Sequence, residues 1–238
     1  MSLILIIGGN SDIGYATAKI FAKNKYDIHL ISRNIEQLNI KKEEIINLYK
    51  VNCKITSVDI LEKSQVDMFF DKNTESPEVI LVASRFLQTD EKEFKKIIKI
   101  NYLSPLEFIE RSLEAYQSQK ILKTIIGISS VAGDRGKKKN NVYSSAKSGF
   151  SSYLNGLRQR IYNQGIHVVT VKPGWVSTKM TKGLNLPKLM MISADFAGNK
   201  IFNSHKSKQN ILYIPRYWAM IMFIYKMVPE FIFKFFLK

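Results

Sequence analysis

Tyr143 and Lys147 stand four residues apart in Tyr143-Ser144-Ser145-Ala146-Lys147. In a helix, residues i and i+4 share a face, so a phenol and an ammonium would be neighbours there. A phenol with a pKa of about 10 is a poor base at neutral pH. An adjacent ammonium stabilises the phenolate and brings proton transfer toward the working range. Ser130 precedes Tyr143 in Gly127-Ile128-Ser129-Ser130, at the end of an apolar run. A hydroxyl placed there can hydrogen-bond an oxygen on which charge develops. A lone Tyr-x-x-x-Lys arises often by chance. The strand-end serines before it and Pro173–Gly174 after the next strand make the set specific.

A second group of residues suits phosphate. Gly8-Gly9-Asn10-Ser11-Asp12-Ile13-Gly14 joins an apolar run to a helical pattern. Glycine lets the backbone turn tightly and approach a pyrophosphate, and the helix N-terminus presents free N–H groups and a positive dipole end to it. The second strand ends in Ser32–Arg33, with no carboxylate for a ribose 2′-hydroxyl. Arg33 can instead meet a 2′-phosphate, or be an exposed arginine after a strand. Asp59 is placed to accept from an adenine amino group, or to cap a solvated turn. Asp12 precedes the helical pattern and is expected to cap the helix, facing away from the phosphates.

These residues need a scaffold, and the periodicity supplies one. Leu3–Ile7 reads as a strand buried on both faces. Helices are expected over 13–24, 35–47, 64–71, 90–116 and 144–163, the last stopped by Gln164–Gly165. Further strands are expected over 27–31, over 49–55 and on toward Asp59, and over 78–83, 124–129, 167–172 and 210–214. Strands alternating with helices predict one α/β domain over 1–238, a doubly wound parallel sheet of about seven strands flanked by helices. A hydrophobic, basic helical tail over 216–238 follows.

With the scaffold in place, the chain resembles the short-chain dehydrogenase/reductase family over nearly its full length. The matching pieces are the turn from Gly8 to Gly14, Asp59, Asn101 in Ile100-Asn101-Tyr102, Ser130, Tyr143, Lys147 and Lys172-Pro173-Gly174-Trp175-Val176-Ser177-Thr178. The resemblance implies a Rossmann sheet and a carbonyl that takes a hydride from a nicotinamide and a proton from Tyr143. It implies Lys147 on the nicotinamide ribose and, with Asn101, in a water relay. Pro173, Gly174, Val176 and Thr178 would lie on the nicotinamide side. Gly8, Asn10, Ser11, Asp12, Ile13 and Gly14 would contact the cofactor, as would Arg33, Asp59, Ile60 and Ala83; Tyr143 and Lys147 would touch it too. The cofactor would be NADP(H), and two copies would pair through helices 90–116 and 144–163.

Two departures stand out. Asp12 occupies the place of a third glycine, and Ala83-Ser84-Arg85-Phe86 replaces the family's Asn-Asn-Ala-Gly. The Gly-Gly-x-Ser-acid-Ile-Gly turn and the Tyr213-Ile214-Pro215 exit are similar to the decaprenylphosphoryl-2-keto-ribose reductases. That narrower resemblance implies a keto-sugar on a polyprenyl phosphate as substrate, handled at the inner face of a membrane.

The formal net charge is +16. Nucleic acid, anionic lipid or a phosphorylated substrate could be the partner, or the surface could be merely solubilising. No nucleic-acid-binding motif is present, so nucleic acid is not expected. The tail interleaves Tyr217, Trp218, Phe223, Phe231, Phe233, Phe235 and Phe236 with Arg216, Lys226, Lys234 and Lys238. It is too short to span a bilayer; it suits an anionic interface, or a lid or subunit contact. Lys137-Lys138-Lys139 could pair with a substrate phosphate or be a solvated run. His29, His167 and His205 have no metal spacing, and the single Cys53 fits a reducing, cytoplasmic setting. The alternative to an enzyme is a nucleotide-binding module acting as sensor or scaffold, which would need no proton donor.

Overall fold

Seven short apolar runs lie parallel in one sheet, in the order β3-β2-β1-β4-β5-β6-β9. They are β1 (Leu3–Ile7), β2 (Asp27–Ser32), β3 (Cys53–Ser57), β4 (Val79–Val82), β5 (Thr124–Ile128), β6 (His167–Pro173) and β9 (Ile211–Ile214). The computed structural model describes residues 2–73, 75–84, 86, 93–116, 121–136, 138–178 and 190–236, without the side chains of Lys139, Phe235 and Phe236. The expected helix start at Asp90, together with Arg85, Lys137 and Lys238, lies outside the described residues.

The strands carry no polar face because helices cover both sides. Ile4, Ile6 and Leu30 feed one layer, and their neighbours Leu5, Ile7 and Ile31 feed the other. The first layer holds α1 (Asp12–Lys23), α2 (Ile35–Tyr49) and α7 (Ala194–Lys206). The second holds α3 (Lys63–Lys72), α5 (Ser104–Tyr116) and α6 (Asn141–Arg160). The strand order reverses between β1 and β4, so a crevice opens at their carboxyl ends.

The expected helix over 90–116 is broken. It consists of α4 (Phe94–Ile98), a π-helical turn over Lys99–Leu103, and α5. Pro105 has no N–H for the carbonyl of Asn101 four residues earlier. The ladder widens there, and Ser104 donates its N–H to Lys99, five residues back. Helix α6 starts three residues before the expected Ser144. It stops at Arg160, and a short 3-10 turn runs on to Gly165 at φ +74°. Three elements had no sequence expectation: α7 and the two-residue strands β7 (Val176–Ser177) and β8 (Ile192–Ser193). The tail forms α8 (Tyr217–Met227) and α9 (Glu230–Phe236).

Candidate active site

The crevice is a cavity of about 310 Å³. Gly8, Asn10, Ser11, Asp12 and Ile13 form one wall; Arg33, Asp59 and Ile60 form a second; Ala83 and Thr178 also line it. Gly8 takes φ +86°, and a Cβ there would sit 2.7 Å from the Ala83 carbonyl oxygen. Gly14 lies behind the wall: a Cβ would be 2.6 Å from the Gly8 carbonyl oxygen, so this glycine lets helix α1 seat against the turn. The N-terminus of α1 therefore opens on the cavity, as an anion site requires.

The cap expected of Asp12 is made by Ser11, whose hydroxyl accepts from the Gly14 N–H at 3.1 Å. Asp12 is the first helical residue and is among the residues that line the cavity. Serine wins because the cap residue keeps an extended backbone, at φ −71° and ψ 146°, while Asp12 already turns into the helix. Its carboxylate there still gains from the helix dipole.

Arg33 and Asp59 approach to 3.8 Å, with the Arg33 side chain 63% exposed. Such a pair contributes at most about 1 kcal/mol, so the guanidinium is open to a stronger anion. Asp59 is partly spoken for, since its Oδ1 accepts from the Leu61 N–H at 3.0 Å. Asn10 donates to the Asn34 carbonyl at 2.9 Å, which ties the glycine turn to the start of α2. Its Oδ1 is buried with no partner among the described residues, an acceptor held ready for a bound donor. A tight glycine turn, an orphaned acceptor and an open guanidinium together fit a dinucleotide carrying an extra phosphate.

Asn101, Ser130, Tyr143 and Lys147 are not among the residues that line this cavity; Lys147, 1% exposed, reaches its edge through Nζ, which donates to the carbonyl of the lining residue Ile128 at 2.9 Å. The same Nζ lies 6.0 Å from the centroid of the Tyr143 ring. Tyr143 is buried against Ile97 and Ala132. Ser130 ends the strand extended, and its hydroxyl accepts from the Ala132 N–H at 3.1 Å. The turn Val131–Gly133 then presses on α6: a Cβ at Gly133 would lie 2.7 Å from the Lys147 carbonyl carbon. Ser130 is thus bonded to Ala132, against which Tyr143 packs, and Lys147 is bonded to Ile128, two residues before Ser130.

Asn101 sits in the π-helical turn and is fully buried. Its Nδ2 donates to the carbonyls of Phe86 at 2.7 Å and Ile97 at 2.9 Å, and its Oδ1 accepts from the Phe86 N–H at 3.3 Å. The side chain is occupied in holding the segment after β4. Ser84 adds a bond to the Ile100 carbonyl at 3.3 Å, so the departure from Asn-Asn-Ala-Gly still yields an anchored backbone. Ile7, Ile31, Val58, Phe86 and Ile128 also line the cavity. Their apolar types at strand ends gave no sequence signal beyond the core pattern.

Pro173, Gly174 and Val176 stand apart from this cavity. Pro173 pairs with Ile214 in the sheet, and Gly174 donates to the Ile214 carbonyl at 2.9 Å. Val176 belongs to the core. Gly174 lies under the tail, where a Cβ would meet the Trp218 Nε1 at 2.0 Å. Trp218 and Met222 of α8 pack inward with Val131, so the tail covers the turn that follows Ser130. Among the described residues, no cluster could hold a metal and no helix is long and apolar enough to cross a membrane.

The model of the short chain dehydrogenase family matches residues 2–188. A carbonyl reductase family member 4 of Xenopus laevis is 26% identical, with 75% of this chain and 77% of the relative covered. An uncharacterized oxidoreductase of Staphylococcus epidermidis is 24% identical, with 80% and 84% covered. A short-chain dehydrogenase from Sphingobium yanoikuyae, solved in complex with NADPH, superposes with a TM-score of 0.80 at 16% identity, covering 97% of each chain.

Proposed function

The chain belongs to the short-chain dehydrogenase/reductase family of oxidoreductases, and from that premise we propose that it reduces a carbonyl to an alcohol with NADP(H). The observation that carries the reading is the joining of Ser130, Tyr143 and Lys147 by the β5 end, the Val131–Gly133 turn and α6, with Ile128 both lining the glycine-turn cavity and accepting from Lys147. Bound NADPH supplies the hydride. Tyr143 gives its phenolic proton to the carbonyl oxygen, and the Ser130 hydroxyl donates to the same oxygen as charge gathers on it. Lys147 lies beside the phenol, its Nζ 6.0 Å from the ring centroid. Arg33 receives the 2′-phosphate, and the α1 N-terminus receives the pyrophosphate. The side chain of Asn101 keeps the pocket wall in place, and a water relay would run through its main-chain carbonyl, which Pro105 cannot bond. The nicotinamide face of the site would be Pro173, Gly174 and Thr178. A screen of ketones and keto-sugars for substrate-dependent NADPH consumption tests the reading. Tight NADPH binding without turnover of any carbonyl would favour a sensor or scaffold instead.

The substrate class follows from the tail. Helix α8 is apolar on opposite faces. Trp218 and Met222 are buried, whereas Met220, Phe223, Ile224 and Met227, with Phe231 of α9, are between 58% and 70% exposed. Such a patch on a protein surface is an interaction site. Arg216, Lys226 and Lys234 stand exposed around it. Glu230, the sole carboxylate of residues 216–236, is ion-paired to Arg135 at 2.9 Å. An anionic bilayer matches both the bare rings and the uncompensated cations, at about 1 kcal/mol per basic residue. A second copy would set like charges against each other. The carbonyl compound is accordingly read as lipid-linked, with a keto-sugar on a polyprenyl phosphate as the narrowest form. In co-sedimentation, the protein should pellet with vesicles containing phosphatidylglycerol, and Phe223→Ser should release it. Retention in the supernatant would remove the membrane reading and leave carbonyl reduction standing. Pairing of two copies through α5 and α6 belongs to the same proposal and is read from the mass in solution.

A further inference from the structure

The loop after Ser130 ends in Asp134-Arg135, and these neighbours reach in opposite directions. Asp134 turns inward. Its carboxylate accepts from the Lys172 ammonium, and from the Tyr213 hydroxyl at 2.8 Å. Burial first, and Asp134 second, push the Tyr213 phenol above its ordinary range. The loop is thereby fastened to β6 and β9, beside Pro173–Gly174.

Arg135 turns outward to the tail. Its Nη1 donates to the carbonyls of Tyr225 at 2.7 Å and Val228 at 2.6 Å. Its Nη2 meets Glu230 at 2.9 Å, and the guanidinium carbon lies 3.6 Å from the centre of the Phe233 ring. The last carbonyls of a helix have no partner within it, so Arg135 caps the corner between α8 and α9. The Arg135 side chain is only 16% exposed, which limits screening of these contacts.

The held corner fixes what α8 presents inward. Met222 packs with Val131, the residue after Ser130, and Trp218 seats on Gly174. The Trp218 indole N–H is buried with no acceptor among the described residues. A buried donor left without an acceptor costs free energy until something accepts from it.

We propose that Arg135 is a positioning residue for substrate specificity: it clamps the α8–α9 corner so that Trp218 and Met222 form a fixed apolar wall beside Ser130 and Gly174. That wall selects ketones with a long apolar substituent, and the Trp218 N–H donates to an oxygen of the substrate. The proposal rests on the reading of Ser130 and Tyr143 as the groups that act on the carbonyl.

The test compares wild type, Arg135→Met, Arg135→Lys and Glu230→Gln. Each is measured by hydrogen exchange over the α8 peptide and by kinetics with 2-decanone and 2-butanone. Arg135→Met should abolish protection of α8 and raise KM for 2-decanone about tenfold, with kcat and the KM for 2-butanone little changed. Arg135→Lys keeps the charge without the fork and should fall between. Glu230→Gln removes one contact only, and it should loosen α8 in the same direction if Arg135→Met fails to fold. An α8 that stays protected in these variants would overturn the clamp. So would an equal loss of kcat for both ketones. Absence of ketone turnover in the wild type would count against carbonyl reduction, and the exchange measurement would still decide the clamp.

Discussion

Arg33 is the side chain on which the proposed cofactor choice rests. The end of β2 offers no carboxylate to a ribose hydroxyl, and Arg33 is bound only loosely by Asp59 at 3.8 Å. A charged hydrogen bond to a 2′-phosphate contributes about 1.5–3 kcal/mol, or roughly 10–150-fold in affinity. Arg33→Ala should weaken NADPH by that factor and leave NADH nearly unchanged, as fluorescence titration of both would record. Equal loss for the two cofactors would mean that Arg33 supports the fold of the crevice and does not select. Single residues were the most legible level of the sequence where their chemistry is rare at a strand end, as for Arg33. They were least legible where two neighbours could do the same job. Ser11 and Asp12 are both good caps, and only the backbone angles of the turn decide between them.

Helix α1 carries that decision as a stability prediction. Ser11→Ala removes the bond to the Gly14 N–H and should cost about 0.5–2 kcal/mol, measured by urea denaturation. Asp12→Ala leaves that cap bond in place and should cost less, with the dipole contribution of the carboxylate about 0.3–1 kcal/mol. The reverse order would restore Asp12 as the cap. At this scale the strands and most helices were readable because apolar runs and helical spacing are set by burial on a two-faced sheet. Helix α7 was not. Its buried face includes Ala197, Gly198 and Ser204, small residues with little hydrophobic signal. Gly198 is small because α7 packs closely on α1: a Cβ there would lie 2.9 Å from the backbone of Ala16. The π-helical turn left only Pro105 as a trace, and two-residue strands such as β7 leave none.

Across the whole molecule, the histidines add a pH dependence that no motif announces. Burial, and then Lys54, lower the pKa of His29 from 6.5 to about 3. Its Nδ1 lies 3.3 Å from Glu75, but that carboxylate is half in water and does not offset the burial. Burial also lowers His167 and His205. The unfolded chain takes up these protons near pH 6.5, whereas folded His29 resists until about pH 3. Stability is therefore full above pH 6.5 and falls as pH drops through that window, by up to about 1.4 kcal/mol per pH unit for each histidine. Urea midpoints taken from pH 7.5 down to 5 should decline, and His29→Gln should flatten the decline. A midpoint that rises on acidification would contradict the burial argument. The same scale explains why the tail stayed ambiguous in the sequence: aromatic and basic residues alone suit both a lid and a lipid surface. Only the packing separates Trp218 and Met222, which face the Val131–Gly133 turn, from Phe223 and Met227, which face out.

The central claim is that Tyr143 gives the proton in an NADPH-dependent carbonyl reduction, and the most direct measurement is ketone-dependent NADPH oxidation by Tyr143→Phe beside wild type. The phenyl ring keeps the packing against Ile97 and Ala132 and loses only the hydroxyl. Turnover should fall by about 10²–10⁴-fold while NADPH affinity stays within a small factor of wild type. Near-normal turnover by Tyr143→Phe would contradict the assignment.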